Sequence, residues 1–318
     1  MPVTLGAQIL TYGATWSEAL ATAQLVDRLG YTYLFGHDHL YSTGGDPYQP
    51  FYEGWTTIAG WAALTERVKV GLTVGANTFR NPGIVARMAV TIDHLSGGRA
   101  VLGLGAGNMP AEAFAHGIDP GRSIGERLDW LEEALELITD LLAGREVTHE
   151  SEKYRFDRVR HAPLPIQAHL PVVIGAEGER RGLRIAARFA DIWQCFFGMD
   201  DAAVASFRHK DGVLRQHAAE LGRDATGIER MVGCKLVIRD DPDAARRAAE
   251  ELVAIHGWAS SVWRSFWFGT PSQVADRLTR FVEAGAQAFA PQMVWPYDHE
   301  TLERVVGDVL PRVEARVG

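Results

Sequence analysis

Eight short, nearly unbroken apolar runs, each followed by a stretch of helical character, constrain this chain more than any other feature. The runs are Val3–Ile9, Tyr31–Phe35, Val68–Val74, Arg99–Leu104, Pro171–Ile174, Asp191–Cys195, Met231–Ile238 and Ala288–Val294. Strands that are apolar at most positions, not at every second one, are buried on both faces. That is the pattern of a parallel sheet covered by its own crossover helices. An open doubly wound sheet and a closed barrel both satisfy it, and eight units favour the closed (β/α)8 barrel, the TIM barrel. At 318 residues the chain fits one such domain over 1–318. Two stretches break the rhythm, at 144–170 and 255–269, and read as insertions; Glu146–Phe156 in the first alternates like a small β element.

Helix starts are punctuated by their caps. Thr15 with Glu18, and Ser123 with Glu126, have the spacing of a capping box. Asn81 precedes Pro82, Thr270 precedes Pro271, and Leu128, Leu131, Leu135, Ile138 and Leu142 form one apolar stripe. A further helix is expected from about Gly178 to Phe189. The content is 47% hydrophobic and 23% charged, enough for a large core. A formal net charge of −8 and the lack of any basic run argue against a nucleic-acid surface. The two cysteines, Cys195 and Cys234, are too far apart in sequence to suggest a zinc ribbon or a disulfide scaffold. No segment approaches 18 uninterrupted apolar residues and Met1–Thr4 has no basic start before an apolar core, so a cytoplasmic protein with no membrane partner is expected.

In such a barrel, chemistry belongs just after the strands. Four segments lie there. His37-Asp38-His39 follows the second strand and offers ionisable groups for a heterocycle, a proton or a metal; a polar loop start with Asp38 in a turn would look the same. Thr73-Val74-Gly75-Ala76 after the third strand, and Gly103-Leu104-Gly105-Ala106-Gly107-Asn108 after the fourth, are small enough for close approach by a flat ligand, although tight turns need the same residues. The GxGxG spacing departs from the dinucleotide fingerprint GxGxxG, which weakens a Rossmann reading. Gly175-Ala176-Glu177-Gly178-Glu179 after the fifth strand could present backbone N–H groups to a phosphate, helped by Arg180 or Arg181; Glu177 and Glu179 also suit an ordinary first helical turn. The aromatic run from Trp258 to Phe268 has no clean period and reads either as a lid over the barrel mouth or as buried packing.

Taken together, these segments resemble the luciferase-like monooxygenase superfamily, and within it the branch that uses coenzyme F420. The most specific stretch is Gly71–Ile118, with Thr78, Arg80-Asn81-Pro82, Ala86, Thr91, Asp93, Leu95-Ser96 and Gly98-Arg99; Gly175–Trp193 and Gly269–Ala286 are similar to the family's second half. The resemblance implies an oxidoreductase passing a hydride between F420 (alternatively FMN, with monooxygenase chemistry) and a small-molecule substrate, in a homodimer. It implies that Asp38 and His39 contact the cofactor ring and assist proton transfer. A non-proline cis peptide at Thr73–Val74 is expected to support the ring with Gly75, while Ala106, Gly107 and Asn108 lie beside it. Gly175, Ala176, Glu177, Gly178 and Glu179 are expected at the cofactor phosphate. One position departs from the sugar-phosphate dehydrogenases of that branch: Asn108 stands where they place a glutamate thought to donate a proton. An amide cannot do that work. His39, whose side-chain type titrates near neutrality, becomes the expected proton carrier. Two rival readings remain: a metal-dependent hydrolase built on His37 and His39, and a non-catalytic flavin-binding protein.

Overall fold

The computed structural model describes residues 3–318. Eight strands close into one parallel barrel: β1 (Thr4–Ile9), β2 (Tyr33–Gly36), β3 (Lys69–Leu72), β4 (Ala100–Gly105), β5 (Val172–Gly175), β6 (Ile192–Phe196), β7 (Glu229–Ile238) and β8 (Ala288–Met293). Closure is made by β1 and β8, which pair from Thr4–Ala288 to Ile9–Met293. It excludes the open doubly wound alternative, and each strand coincides with one of the eight apolar runs. After a break at Thr73–Val74, Gly75–Ala76 resumes pairing with Leu104 and Gly105 of β4.

The surrounding helices are α1 (Trp16–Arg28), α2 (Gly54–Leu64), α3 (Pro82–Ser96), α4 (Pro110–Ala115), α5 (Ile124–Leu142), α6 (Gly182–Phe189), α7 (Asp201–Glu220), α8 (Pro242–Ile255), α9 (Pro271–Glu283), α10 (His299–Arg304) and α11 (Leu310–Val317). Thr15 and Thr270 form full capping boxes with Glu18 and Gln273, and Asn81 caps α3. Ser123 makes only half of its expected box. It accepts from the Glu126 N–H, but the Glu126 carboxylate binds the Arg122 guanidinium and backbone instead. α6 begins at Gly182, not at Gly178, because residues 178–181 are spent on a turn in which Leu183 N–H reaches back to the Gly178 carbonyl at 2.9 Å. Among the described residues no helix is long and apolar enough to cross a membrane.

The first expected insertion contains an antiparallel hairpin, Val147–Glu150 against Arg155–Val159. The second divides in two. Ser260–Ser265 is a 3-10 turn, whereas Phe266–Gly269 is a ninth parallel strand, attached to Lys235–Ile238 of β7 outside the closed ring. Trp267 of that strand is fully buried and donates to the Phe197 carbonyl at 2.9 Å.

Inside the barrel, Tyr33, Phe35, Val101, Val173, Ile192, Met231, Ala288 and Ala290 form a plug. Side chains on one face of a strand recur every second residue. Following the same inward tracks toward the strand ends, the residues become Gln8, Gly105, Gly175, Gln194, Lys235 and Gln292. Bulky apolar groups therefore fill one end, and glycine or polar groups leave the other end hollow. The larger core lies between the sheet and its helices.

Candidate active site

The hollow end is a cavity of about 840 Å³, within the usual range of small-molecule sites. The structure brings nearly all of the expected residues to it. Asp38, His39, Thr73, Val74, Gly75, Ala106, Gly107, Asn108, Gly175, Ala176, Glu177 and Gly178 all line it. Glu179 does not: it sits beyond the turn, with its carboxylate 3.2 Å from His209 on α7. Arg181 is likewise unavailable to an anion in the β5 loop, since Asp129 and the Gly125 carbonyl hold its guanidinium.

One side of the cavity, at the ends of β3, β4 and β5, is built from small residues. The Thr73–Val74 peptide is cis. The Val74 side chain lies where side chains on β4 and β5 would otherwise be: a Cβ on Gly105 would come within 2.6 Å of Val74 Cγ2, and one on Gly175 within 3.0 Å. These glycines make room for Val74, which then forms the surface a ligand meets. The bulge is held from below by an amide relay, Gln292 Nε2 donating to Gln8 Oε1 at 2.8 Å and Gln8 Nε2 donating to the Thr73 carbonyl. Trp193 Nε1 donates to the Ala176 carbonyl at 2.9 Å, and Lys210 Nζ donates to the Glu177 carbonyl at 2.6 Å, fixing the β5 loop. A Cβ on Gly178 would meet nothing within 4 Å, so the backbone there is open to an incoming group.

Asp38, at the end of β2, has a different environment from the one expected. Its carboxylate is fully engaged: Arg80 donates to both oxygens, at 2.7 and 3.0 Å, and the Ala76 N–H donates at 2.9 Å. Burial holds the carboxyl pKa above its ordinary value, and the guanidinium and the Ala76 N–H offset only part of the rise. The group works as a clamp joining β2 to the loop after the bulge.

His39 is placed for chemistry. Its Nδ1 lies 2.8 Å from Glu112 Oε1, and the other Glu112 oxygen accepts from the Leu40 N–H at 2.9 Å. Glu112 is buried and its carboxylate oxygen is the acceptor, so Nδ1 is the donor of the pair and Nε2 is left to face a ligand. Glu112 escaped the sequence reading. The available signal was an acid four residues after Asn108, one helical turn along at the start of α4. Asn108 itself stands at the exposed rim. The adjacent His37 is buried with neither ring nitrogen bonded to protein, and burial holds its pKa well below the ordinary imidazole value, so it is neutral.

The opposite side of the cavity is an aromatic wall. Ring centroids step from His39 to His37 at 5.8 Å, His37 to Tyr12 at 5.8 Å, Tyr12 to His256 at 5.3 Å and His256 to Trp258 at 4.6 Å. The wall ends with Lys235, whose Nζ lies 4.9 Å from the Trp258 ring centre. Trp258, Ser261, Val262 and Ser265 line the cavity, so the first half of the aromatic run is wall and the second half is packing. Among the described residues no three His, Cys, Asp or Glu side chains gather closely enough to share a metal ion.

The profile of the luciferase-like monooxygenase family matches residues 1–260. The chain belongs to that family. An uncharacterised protein of Mycobacterium tuberculosis strain H37Rv is 29% identical over 245 residues, covering 77% of this chain and 79% of the relative. The pyrimidine monooxygenase RutA of Escherichia coli is 32% identical over 200 residues, 63% of this chain and 53% of RutA, so the match spans about half of that enzyme. Among solved structures, the coenzyme F420-dependent tetrahydromethanopterin reductase of Methanopyrus kandleri superposes with a TM-score of 0.79 at 18% identity, over 98% of this chain and 100% of that one. This luciferase-like protein is an oxidoreductase on a TIM barrel.

Proposed function

We propose that this luciferase-like protein binds coenzyme F420 in the barrel mouth and transfers a hydride between its ring and a small organic substrate. The observation that carries the reading is the asymmetry of the cavity, with a bulge-backed surface of small residues on one side and an aromatic, ionisable wall on the other. The first fits a flat ring and the second a smaller reactant. When bound, the deazaflavin supplies hydride chemistry with little reactivity toward oxygen. The chain's own contributions follow from the geometry. Val74, steadied by Gln8, backs the ring; Gly75, Ala106, Gly107 and Asn108 border it; and the backbone of Gly175–Gly178 takes the phosphate. His39 Nε2 gives or takes the proton while Glu112 holds the imidazole in place. Asp38 acts through the loop it clamps.

The F420-dependent reductase of Methanopyrus kandleri supports the cofactor assignment through its shared fold. The relationship to RutA favours a second reading, a flavin monooxygenase with FMN in the same slot. Absorbance and fluorescence titration of the purified protein with F420 and with FMN separates them. F420 binding in the micromolar range or tighter is expected. Tight FMN binding with no F420 binding would replace the first reading with the second. A homodimer in the cytoplasm is also proposed, and sedimentation velocity tests the dimer.

A further inference from the structure

The ammonium of Lys235 is a cavity feature that hydride transfer and cofactor placement leave unexplained. It projects from the inward track of β7, half-buried, and lines the cavity. No carboxylate pairs with it among the described residues; its neighbours are Cys234, His256 and the Trp258 ring. Asp298, which shares a small crevice with it, is held by Arg239 at 2.8 Å. A half-buried cation with no counter-charge is costly, and desolvation lowers the Lys235 pKa to about 8. Neutral His37, with both ring nitrogens free, lies on the same wall between Lys235 and His39. Lys235 belongs to β7, beside the aromatic wall and away from the small-residue loops of β3, β4 and β5, so the cation faces the reactant's share of the cavity.

We propose that Lys235 is the specificity residue of the substrate site, and that the substrate is an organic carboxylate whose anionic end binds Lys235 while its reacting end lies toward His39. This rests on the proposed hydride-transfer reading for which end reacts, but not for the binding itself. A carboxylate supplies the missing counter-charge, and His37 has one donor and one acceptor for a polar group partway along the molecule.

Isothermal titration of the cofactor-loaded protein with cyclohexanecarboxylate and with its neutral counterpart cyclohexanecarboxamide tests the proposal, repeated on the cofactor-free protein. The carboxylate is expected to bind about ten-fold tighter or better. Lys235→Met is expected to abolish the preference and Lys235→Arg to keep it, with thermal melts confirming that both variants fold. Equal binding of the two probes, no binding of either, or a preference that survives Lys235→Met would overturn it. So would a loss of cofactor affinity in Lys235→Met matching the loss of carboxylate affinity, since the lysine would then serve the cofactor. A Lys235-dependent preference in a protein that binds neither F420 nor FMN would sink the proposed hydride-transfer reading and leave the anion site standing.

Discussion

His39 and Glu112 show how a side chain that does not face the cavity decides what one that does can offer. The carboxylate spends one oxygen on Nδ1 and the other on the Leu40 N–H, so both the tautomer and the orientation of the ring are fixed before any ligand arrives. Glu112→Gln retains size and the capacity to accept, but its amide can also turn a donor toward Nδ1, and the developing imidazolium loses its counter-charge. Turnover is expected to fall about 100-fold, the scale of a compromised general acid–base. Cofactor affinity should be unchanged and the solvent deuterium isotope effect on kcat should rise. Steady-state kinetics in H2O and D2O, with a cofactor titration, check all three. A loss confined to thermal stability would assign Glu112 a purely structural role.

At the level of elements, the break between β3 and its continuation sets the shape of the cavity. Gly105→Ala places a methyl within 2.6 Å of Val74 Cγ2, so Val74 must swing away. Overpacking of this kind costs about 1–3 kcal/mol, and cofactor affinity should fall with it. Val74→Ala in the same chain removes the clash, so the double variant should regain stability relative to Gly105→Ala alone; denaturant melts of the single and double variants measure the coupling. The eight strands were legible in the sequence because burial on both faces leaves continuous apolar runs. Thr15, Asn81 and Thr270 marked helix starts because capping is local chemistry. The helix after the seventh run, α8, could be given no bounds because its inward stripe is alanine, Ala245 and Ala249, too small to register as a period. Phe266–Gly269 escaped because four residues beside several other aromatics show no alternation. Gln8, Gln292 and Lys235 were invisible as site residues. Each sits within an apolar run, and only the closed barrel shows that its side chain points inward at the hollow end. Asp38 was found, but its partner Arg80 lies 42 residues away and only the fold brings the two together.

For the molecule as a whole, Lys235 sets binding against stability. A lysine whose pKa falls from 10.5 to about 8 on folding makes the folded state poorer in protons than the unfolded one between those values. Stability contributed by this group therefore rises with pH through that window, and the deficit is fully present below about pH 8, amounting to about 3 kcal/mol at most. Lys235→Met keeps the aliphatic bulk, so it is expected to be more stable than the native chain at pH 7, with the advantage shrinking above pH 8. Urea denaturation at pH 7 and pH 9.5 checks the sign; destabilisation at pH 7 would mean that the ammonium is satisfied in the fold. The relay from Gln292 through Gln8 to Thr73 has a different consequence, in time. During synthesis the strands carrying the small-residue side emerge early, whereas β8, which supplies Gln292 and closes the ring, emerges last of the eight. Until then the bulge lacks its support and the mouth has no continuous rim. A growing chain on the ribosome thus lacks the closed, supported mouth, and full loading waits for the last strand to dock.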